Sequence, residues 1–145
     1  MTSTLVDSNI LLDLSDDRSK WVEWSAGAVE MAEGLGPMII NVVVYSEASV
    51  LFANPAEFEE FAPPSRYLRE AIRCLREAIP TNAAFIAGKR HLDYRKRGGV
   101  RSRTLPDFLI GAHALVQRYR LLTRDAARYR SYCPELYIIA PDTHP

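Results

Sequence analysis

Two periodicities alternate along this chain. Thr4-Leu5-Val6 is a short apolar run that stops on Asp7, and Ser8 and Asn9 then lead into an apolar segment spaced as a helix, about Ile10 to Leu14. The order predicted is strand, acid, helix. A polar break at Ser15-Asp16-Asp17 precedes a longer helix over Ser19 to Glu33. Trp21, Trp24, Ala28, Met31 and Ala32 give it one apolar face, and Gly34 and Gly36 end it. Met38-Ile39-Ile40 reads as the second strand. The β-branched run Val42-Val43-Val44 suits extended structure, but Asn41 as a cap and the apolar positions Val44, Ala48, Leu51 and Phe52 favour a helix from about Val43.

Asn54-Pro55 predicts a turn, and Ala56 to Phe61 a short acidic helix that stops before Pro63-Pro64. Ser65 can cap a helix over Arg66 to Ala78, whose apolar stripe is Leu68, Ile72, Leu75 and Ile79 and which Pro80 ends. Asn82 then caps a helix over Ala83 to Arg97, closed by Gly98-Gly99. Pro106 suits the first turn of a helix over Asp107 to Arg118. Arg120 to Thr123 reads as a third strand, Asp125 starts a short helix, and Leu136 to Ile139 is the last strand. Strands alternating with helices predict an α/β fold, a three-layer α/β/α sandwich around a central parallel sheet.

With 145 residues, 48% of them hydrophobic, the chain suits a single domain over residues 1–145 with one sizeable core. No leader-like start and no apolar run near the roughly twenty residues that cross a bilayer are present, so a soluble, cytoplasmic protein without membrane contact is expected. Cys74 and Cys133 form no C-x-x-C pair, which leaves a thiol redox motif or a zinc site without support. The 18 basic and 18 acidic residues balance, which excludes nucleic-acid binding by bulk charge. The balance is uneven along the chain, because Lys89, Arg90, Arg95, Lys96, Arg97, Arg101 and Arg103 crowd one segment against the single acid Asp93.

Four acids share one topological description: Asp7 after the first strand, Glu47 in the helix after the second, Asp107 at a helix N-terminus, and Asp125 after the third strand. Strand ends of a parallel sheet lie along one edge, so such acids can converge there. Converging carboxylates repel one another unless a divalent cation neutralises them or some hold protons, and an all-oxygen donor set suits magnesium or manganese. Each acid also has a structural role open to it. Asp7 can form a turn, Asp125 can cap a helix, Asp107 can face a helix dipole, and Glu47 can lie on a solvated helix face. His113, one turn beyond Asp107, suits a packed or solvent-facing histidine better than a ligand.

The segments Val6-Asp7-Ser8-Asn9, Asn41 through Glu47, Leu105 through Ala114, and Leu122-Thr123-Arg124-Asp125 resemble, in order and spacing, the acidic motifs of the PIN domain. The likeness is nearest to the VapC toxins of toxin–antitoxin pairs. It implies a magnesium- or manganese-dependent endoribonuclease, held in check by a cognate VapB-like antitoxin and forming a homodimer. Asp7 and Asp107 match the family's principal metal-ligand positions, Glu47 and Asp125 the other two acids, and Asn9 and Thr123 polar positions that support them. Hydrolysis by a metal-activated water would leave 5′-phosphate and 3′-hydroxyl ends and needs no histidine base. RNA at an acidic centre requires cations around it, which makes Arg95, Lys96, Arg97, Arg101 and Arg103 the candidates for substrate binding. An RNA-processing nuclease without an antitoxin and an inactive binding scaffold are the alternatives. A phosphoacceptor receiver-like module is disfavoured, because the last strand leads to Ala140-Pro141 where such a module needs a lysine.

Overall fold

A computed structural model describes residues 2–63, 72–99 and 104–145 of the chain. Its strands β1 (Thr4–Val6), β2 (Met38–Ile40), β3 (Leu75–Arg76), β4 (Arg120–Leu122) and β5 (Ile138–Ile139) form one parallel sheet. The helices are α1 (Ser8–Leu14), α2 (Val22–Leu35), α3 (Val42–Ala48), α4 (Pro55–Phe61), α5 (Thr81–Lys96), α6 (Leu105–Gln117) and α7 (Ala126–Tyr132), and together with the sheet they make the predicted α/β/α sandwich. None of the described helices is long and apolar enough to cross a membrane.

The strand order is β3-β2-β1-β4-β5, with Leu5 of β1 opposite Ile39 on one side and Leu121 on the other. Helices cover both faces of the sheet, and β1 and β2 are buried along their whole length while β4 is buried at Leu121 and Leu122, which is why these strands show no apolar–polar alternation. Leu5, Leu121 and Ile139 are wholly buried, and each such side chain contributes roughly 1.5–3 kcal/mol to the folded state. The chain leaves β1 toward β2 on one side, while β4 lies on the other. The carboxyl ends of β1 and β4 therefore flank a topological switch point, the place where open sheets of this kind hold ligands.

Local chemistry sets the helix starts. Asn41 Oδ1 accepts from the backbone N–H groups of Val43 and Val44, both at 3.0 Å, and this cap starts α3 one residue before the predicted boundary. Asn54 caps α4 through the N–H of Glu57 at 3.0 Å. The predicted cap at Asn82 is displaced, because α5 begins at Thr81 after Pro80 and Asn82 accepts from Ala83 inside the first turn. The helix expected from Ser19 starts at Val22, since the Ser19 hydroxyl is bonded to Asp13 and accepts from the N–H of Trp21. The last strand is shorter than expected, comprising Ile138 and Ile139 only.

The helix expected over Arg66 to Ala78 is overturned in its described part. Leu75 and Arg76 form the edge strand β3, paired with Ile39 and Ile40, and the Glu77 N–H donates to the Ile40 carbonyl at 3.0 Å. A two-residue strand has no period of its own, so the i, i+3, i+4 spacing of Leu68, Ile72, Leu75 and Ile79 mimicked a helix. Ser65, Arg66 and Leu68 lie outside the described residues.

His113 is a packed residue, as the sequence favoured. Fully buried on α6, its Nδ1 lies 3.0 Å from Asn41 Nδ2 and its Nε2 lies 2.6 Å from Glu77 Oε2. The oxygen of Asn41 is committed to the α3 cap, so its amide N–H donates to Nδ1 and the imidazole proton sits on Nε2, facing Glu77. Hydrogen bonds from Tyr119 and His113 hold the Glu77 carboxyl below its ordinary value despite burial. One histidine thus ties the start of α3 to α6 and to the end of β3.

Candidate active site

Asp7 leaves the end of β1 directly into α1 and is 2% exposed. Its Oδ1 accepts from the Ser8 N–H at 2.7 Å, so it caps the helix it precedes. Its Oδ2 accepts from Thr123 Oγ1 at 2.8 Å, from the Tyr129 hydroxyl at 2.9 Å and from Asn9 Nδ2 at 3.3 Å. Burial raises the pKa of Asp7, and the bonds from Thr123, Tyr129 and the Ser8 N–H oppose that rise. These donors orient the carboxylate and favour its ionised form, but burial is the larger effect and the net direction is upward.

Asn9 and Thr123 take the supporting positions expected of them. Asn9 Nδ2 also donates to Thr123 Oγ1 at 3.2 Å, and Asn9 Oδ1 accepts from the Arg124 N–H at 3.1 Å. These bonds fasten the end of β4 to the start of α1. Arg124 then turns away, forming a bidentate ion pair with the buried Asp13 at 2.7 and 3.1 Å. Asp13 has its remaining lone pairs filled by Ser19 and Ser25 and is an anchor of the fold rather than part of the centre.

Glu47 reaches the centre from α3. The Ser8 hydroxyl lies 3.1 Å from Glu47 Oε1 and 3.4 Å from Asp7 Oδ1, which places it between the two acids. Burial raises the pKa of Glu47, and the charges of Asp7 and Asp107 raise it further. Asp107, nearly buried in the first turn of α6, and Asp125, the cap of α7, are joined by Arg128. Arg128 Nη1 donates to Asp107 Oδ1 at 2.9 Å, and its Nη2 lies 3.1 Å from Asp125 Oδ2. The charge of Arg128 also acts on Asp7 and Glu47. The four predicted acids lie toward the carboxyl edge of the sheet as two pairs, one bridged by a hydroxyl and the other by a guanidinium, and the charges of Asp7 and Asp107 both act on Glu47.

Sequence reasoning missed Ser8, Arg128 and Tyr129. Arg128 and Tyr129 stand three and four residues after Asp125, the spacing that puts side chains on one helix face, so projecting that short helix would have found both. Burial and the charge of Asp7 push the Tyr129 phenol well above its ordinary value, so it stays a hydrogen-bond donor.

Of the basic candidates, Arg95, Lys96 and Arg97 are exposed at the C-terminal end of α5, while Arg101 and Arg103 lie outside the described residues. Lys96 and Arg97 line an open groove between α5 and α7 with Arg90, Asp93 and Tyr132. Arg90 is already committed to Glu135, at 2.9 and 3.1 Å. Tyr132 connects this groove to the acids, because its ring stacks on Phe108 at 3.9 Å and its phenol is raised first by burial and then by Asp107.

The donors on offer are carboxylate oxygens and hydroxyls, and the mutual repulsion expressed at Glu47 is a surplus of negative charge that a cation would relieve. Donor chemistry and charge fit a hard divalent ion such as Mg2+ or Mn2+. Among the described residues no three acids, histidines or cysteines are gathered closely enough to hold one ion, and Arg128 is in contact with two of the four acids.

An open parallel sheet with a carboxylate centre at its switch point defines the class. The sequence profile of the PIN domain matches residues 4–132, and the chain belongs to the PIN domain family. No curated protein matches it in sequence. Its fold is similar to VapBC2 from Rickettsia felis bound to a promoter DNA fragment, at TM-score 0.68 and 14% identity, covering 95% of this chain and 98% of that chain. It is also similar to FitAcB from Neisseria gonorrhoeae, at TM-score 0.63 and 16% identity, covering 98% and 99%. A toxin–antitoxin complex from Klebsiella pneumoniae aligns at TM-score 0.60 and 20% identity, covering 95% and 97%.

Proposed function

We propose that this protein is a divalent-metal-dependent endoribonuclease, the toxin of a VapBC-like pair, which acts in the cytoplasm as a homodimer and is restrained by a cognate antitoxin. The observation that carries this reading is the meeting of Asp7, Glu47, Asp107 and Asp125, from four separate segments, at the switch point of a PIN fold. Similarity in fold to proteins solved as toxin–antitoxin complexes supports the antitoxin as partner.

Asp7 and Asp107 would hold a Mg2+ or Mn2+ ion, with Glu47 and Asp125 completing the oxygen set. When bound, such an ion lowers the pKa of a water and stabilises the charge that develops on a phosphodiester. The residues of the chain do the rest. Thr123, Tyr129 and Asn9 hold Asp7 in one rotamer, and the first two oppose the rise in its pKa that burial causes. Glu47, whose pKa lies above its ordinary value, is suited to take a proton from an attacking water. Arg95, Lys96 and Arg97 would track the RNA phosphates along the α5–α7 groove, with Arg101 and Arg103 in the segment that follows.

The test is incubation of the purified protein with structured RNAs in Mg2+, with EDTA, Asp7→Asn and Asp107→Asn as controls, and mapping of the cut ends. Metal-dependent cleavage that leaves 5′-phosphates and is lost in both variants is expected. Cleavage that persists in both variants, with contaminating nuclease excluded, would overturn the mechanism. The contact of Arg128 with two of the acids favours one second reading, a PIN scaffold that binds a partner without cutting. Partner binding that survives Asp7→Asn, without any metal uptake by the native protein, would select it.

A further inference from the structure

Arg128 is the one described cation in contact with two acids of the centre. It projects from α7 with its side chain 34% exposed, and its backbone N–H donates at 3.3 Å to the same Asp125 that its guanidinium engages. Asp107 and Asp125 come from different helices and are neutralised together by this one group. Burial works against the charged guanidinium, and the surrounding groups, Asp107 and Asp125 first and then Tyr129 and Asp7, together outweigh that penalty. Arginine cannot leave such a site by losing its proton, as a lysine can, because it remains charged at any ordinary pH. It leaves only if something displaces it.

Arg128 takes Asp107 Oδ1 and Asp125 Oδ2, and a divalent ion drawn to the same two carboxylates would meet the guanidinium charge at close range, so the two cations compete for one pair of acids. We propose that Arg128 is the resident counter-ion of this centre: it holds Asp107 and Asp125 together when no metal is bound, and a divalent cation binds only by displacing it. Arg128 then sets the apparent metal affinity, which is the intrinsic affinity multiplied by the fraction of molecules in which the fork is open. This inference rests on the metal site proposed above.

The experiment is Mn2+ titration of the full chain at neutral pH, with free Mn2+ followed by its paramagnetic resonance signal, for the native protein, Arg128→Gln and Arg128→Lys. The expected result is that Arg128→Gln binds Mn2+ about tenfold tighter than the native protein, with Arg128→Lys between them because a point charge does not fork to two carboxylates. In EDTA, Arg128→Gln should melt lower than the native protein, and saturating Mn2+ should close or reverse that difference. Equal or weaker binding by Arg128→Gln overturns the proposal while leaving the metal site in place. No binding by any of the three overturns both. Should the variants fail to fold, the Arg128 Nε–H resonance of the native protein is followed as Mg2+ is added. Movement of that resonance supports displacement, and an unmoved resonance at saturating Mg2+ overturns it.

Discussion

Replacing Tyr129 by Phe removes one hydroxyl and leaves the ring, so it isolates the contribution of a single donor to Asp7. The ring keeps its packing against Tyr132 at 5.6 Å, and the hydrogen bond lost is the 2.9 Å contact to Asp7 Oδ2. A hydrogen bond to a charged group contributes about 1.5–3 kcal/mol, and one to a neutral partner about 0.5–1.5 kcal/mol. The cost of Tyr129→Phe should therefore depend on whether Asp7 is ionised. Burial has raised the folded pKa of Asp7 above its ordinary 3.8, and loss of the phenol raises it further. Stability associated with a raised pKa is present at low pH and is lost as pH rises through the folded value. The variant should match the native protein most closely at low pH and fall behind it as Asp7 ionises. Urea unfolding in EDTA at pH 5 and pH 8 measures this. With a slope of roughly 2 kcal/mol per molar urea, a loss of about 2 kcal/mol moves the midpoint down by about 1 M at pH 8. A midpoint shift below about 0.3 M at pH 8 refutes the assignment of Tyr129 as a donor to ionised Asp7.

Two further substitutions probe separate features. Glu47→Gln keeps an acceptor for Ser8 and removes a charge that Asp7 and Asp107 oppose, so in EDTA it should stabilise the protein by roughly 0.5 kcal/mol, a small figure because the half-exposed group is screened. Its advantage should appear as pH rises above the ordinary 4.5 and vanish below it; a variant less stable than native at pH 8 contradicts the repulsion. Arg118, exposed at the end of α6, adopts φ 58° and ψ 37°, and Arg118→Gly should raise stability by about 0.5–1 kcal/mol in thermal unfolding. A lower melting temperature would mean that its side chain offsets the left-handed backbone.

The strands of the sheet were legible where burial on both faces wrote short runs rich in apolar and β-branched residues, as at Thr4-Leu5-Val6 and Met38-Ile39-Ile40. The acids were legible for a related reason: each is tied to an element boundary, and Asp7, Asn41, Asn54 and Asp125 all cap the helix that begins after them. β3 was not legible, since an edge strand of two residues is made by pairing with β2 and by nothing in its own pattern. The groups that hold the acids were missed for a different reason. Ser8 lies within the first acidic motif but its bond to Glu47 spans 39 positions, and Arg128 and Tyr129 belong to no motif, Tyr129 reaching Asp7 across 122 positions.

The two halves of the centre are held by chemically different means, and the difference has a consequence. Asp7 is satisfied by neutral donors, Thr123, Tyr129, Asn9 and a backbone N–H, all fixed by packing and none able to cancel its charge. Asp107 and Asp125 are instead satisfied by Arg128, a side chain about one-third exposed on a seven-residue helix. Neutral donors orient a carboxylate without competing for its charge, so Asp7 keeps its rotamer whatever enters beside it. A cationic donor competes directly with any other cation. The centre therefore pairs a preset half with a half that can exchange its counter-ion, and a cation entering it would meet Asp7 already in place while it displaces Arg128 from Asp107.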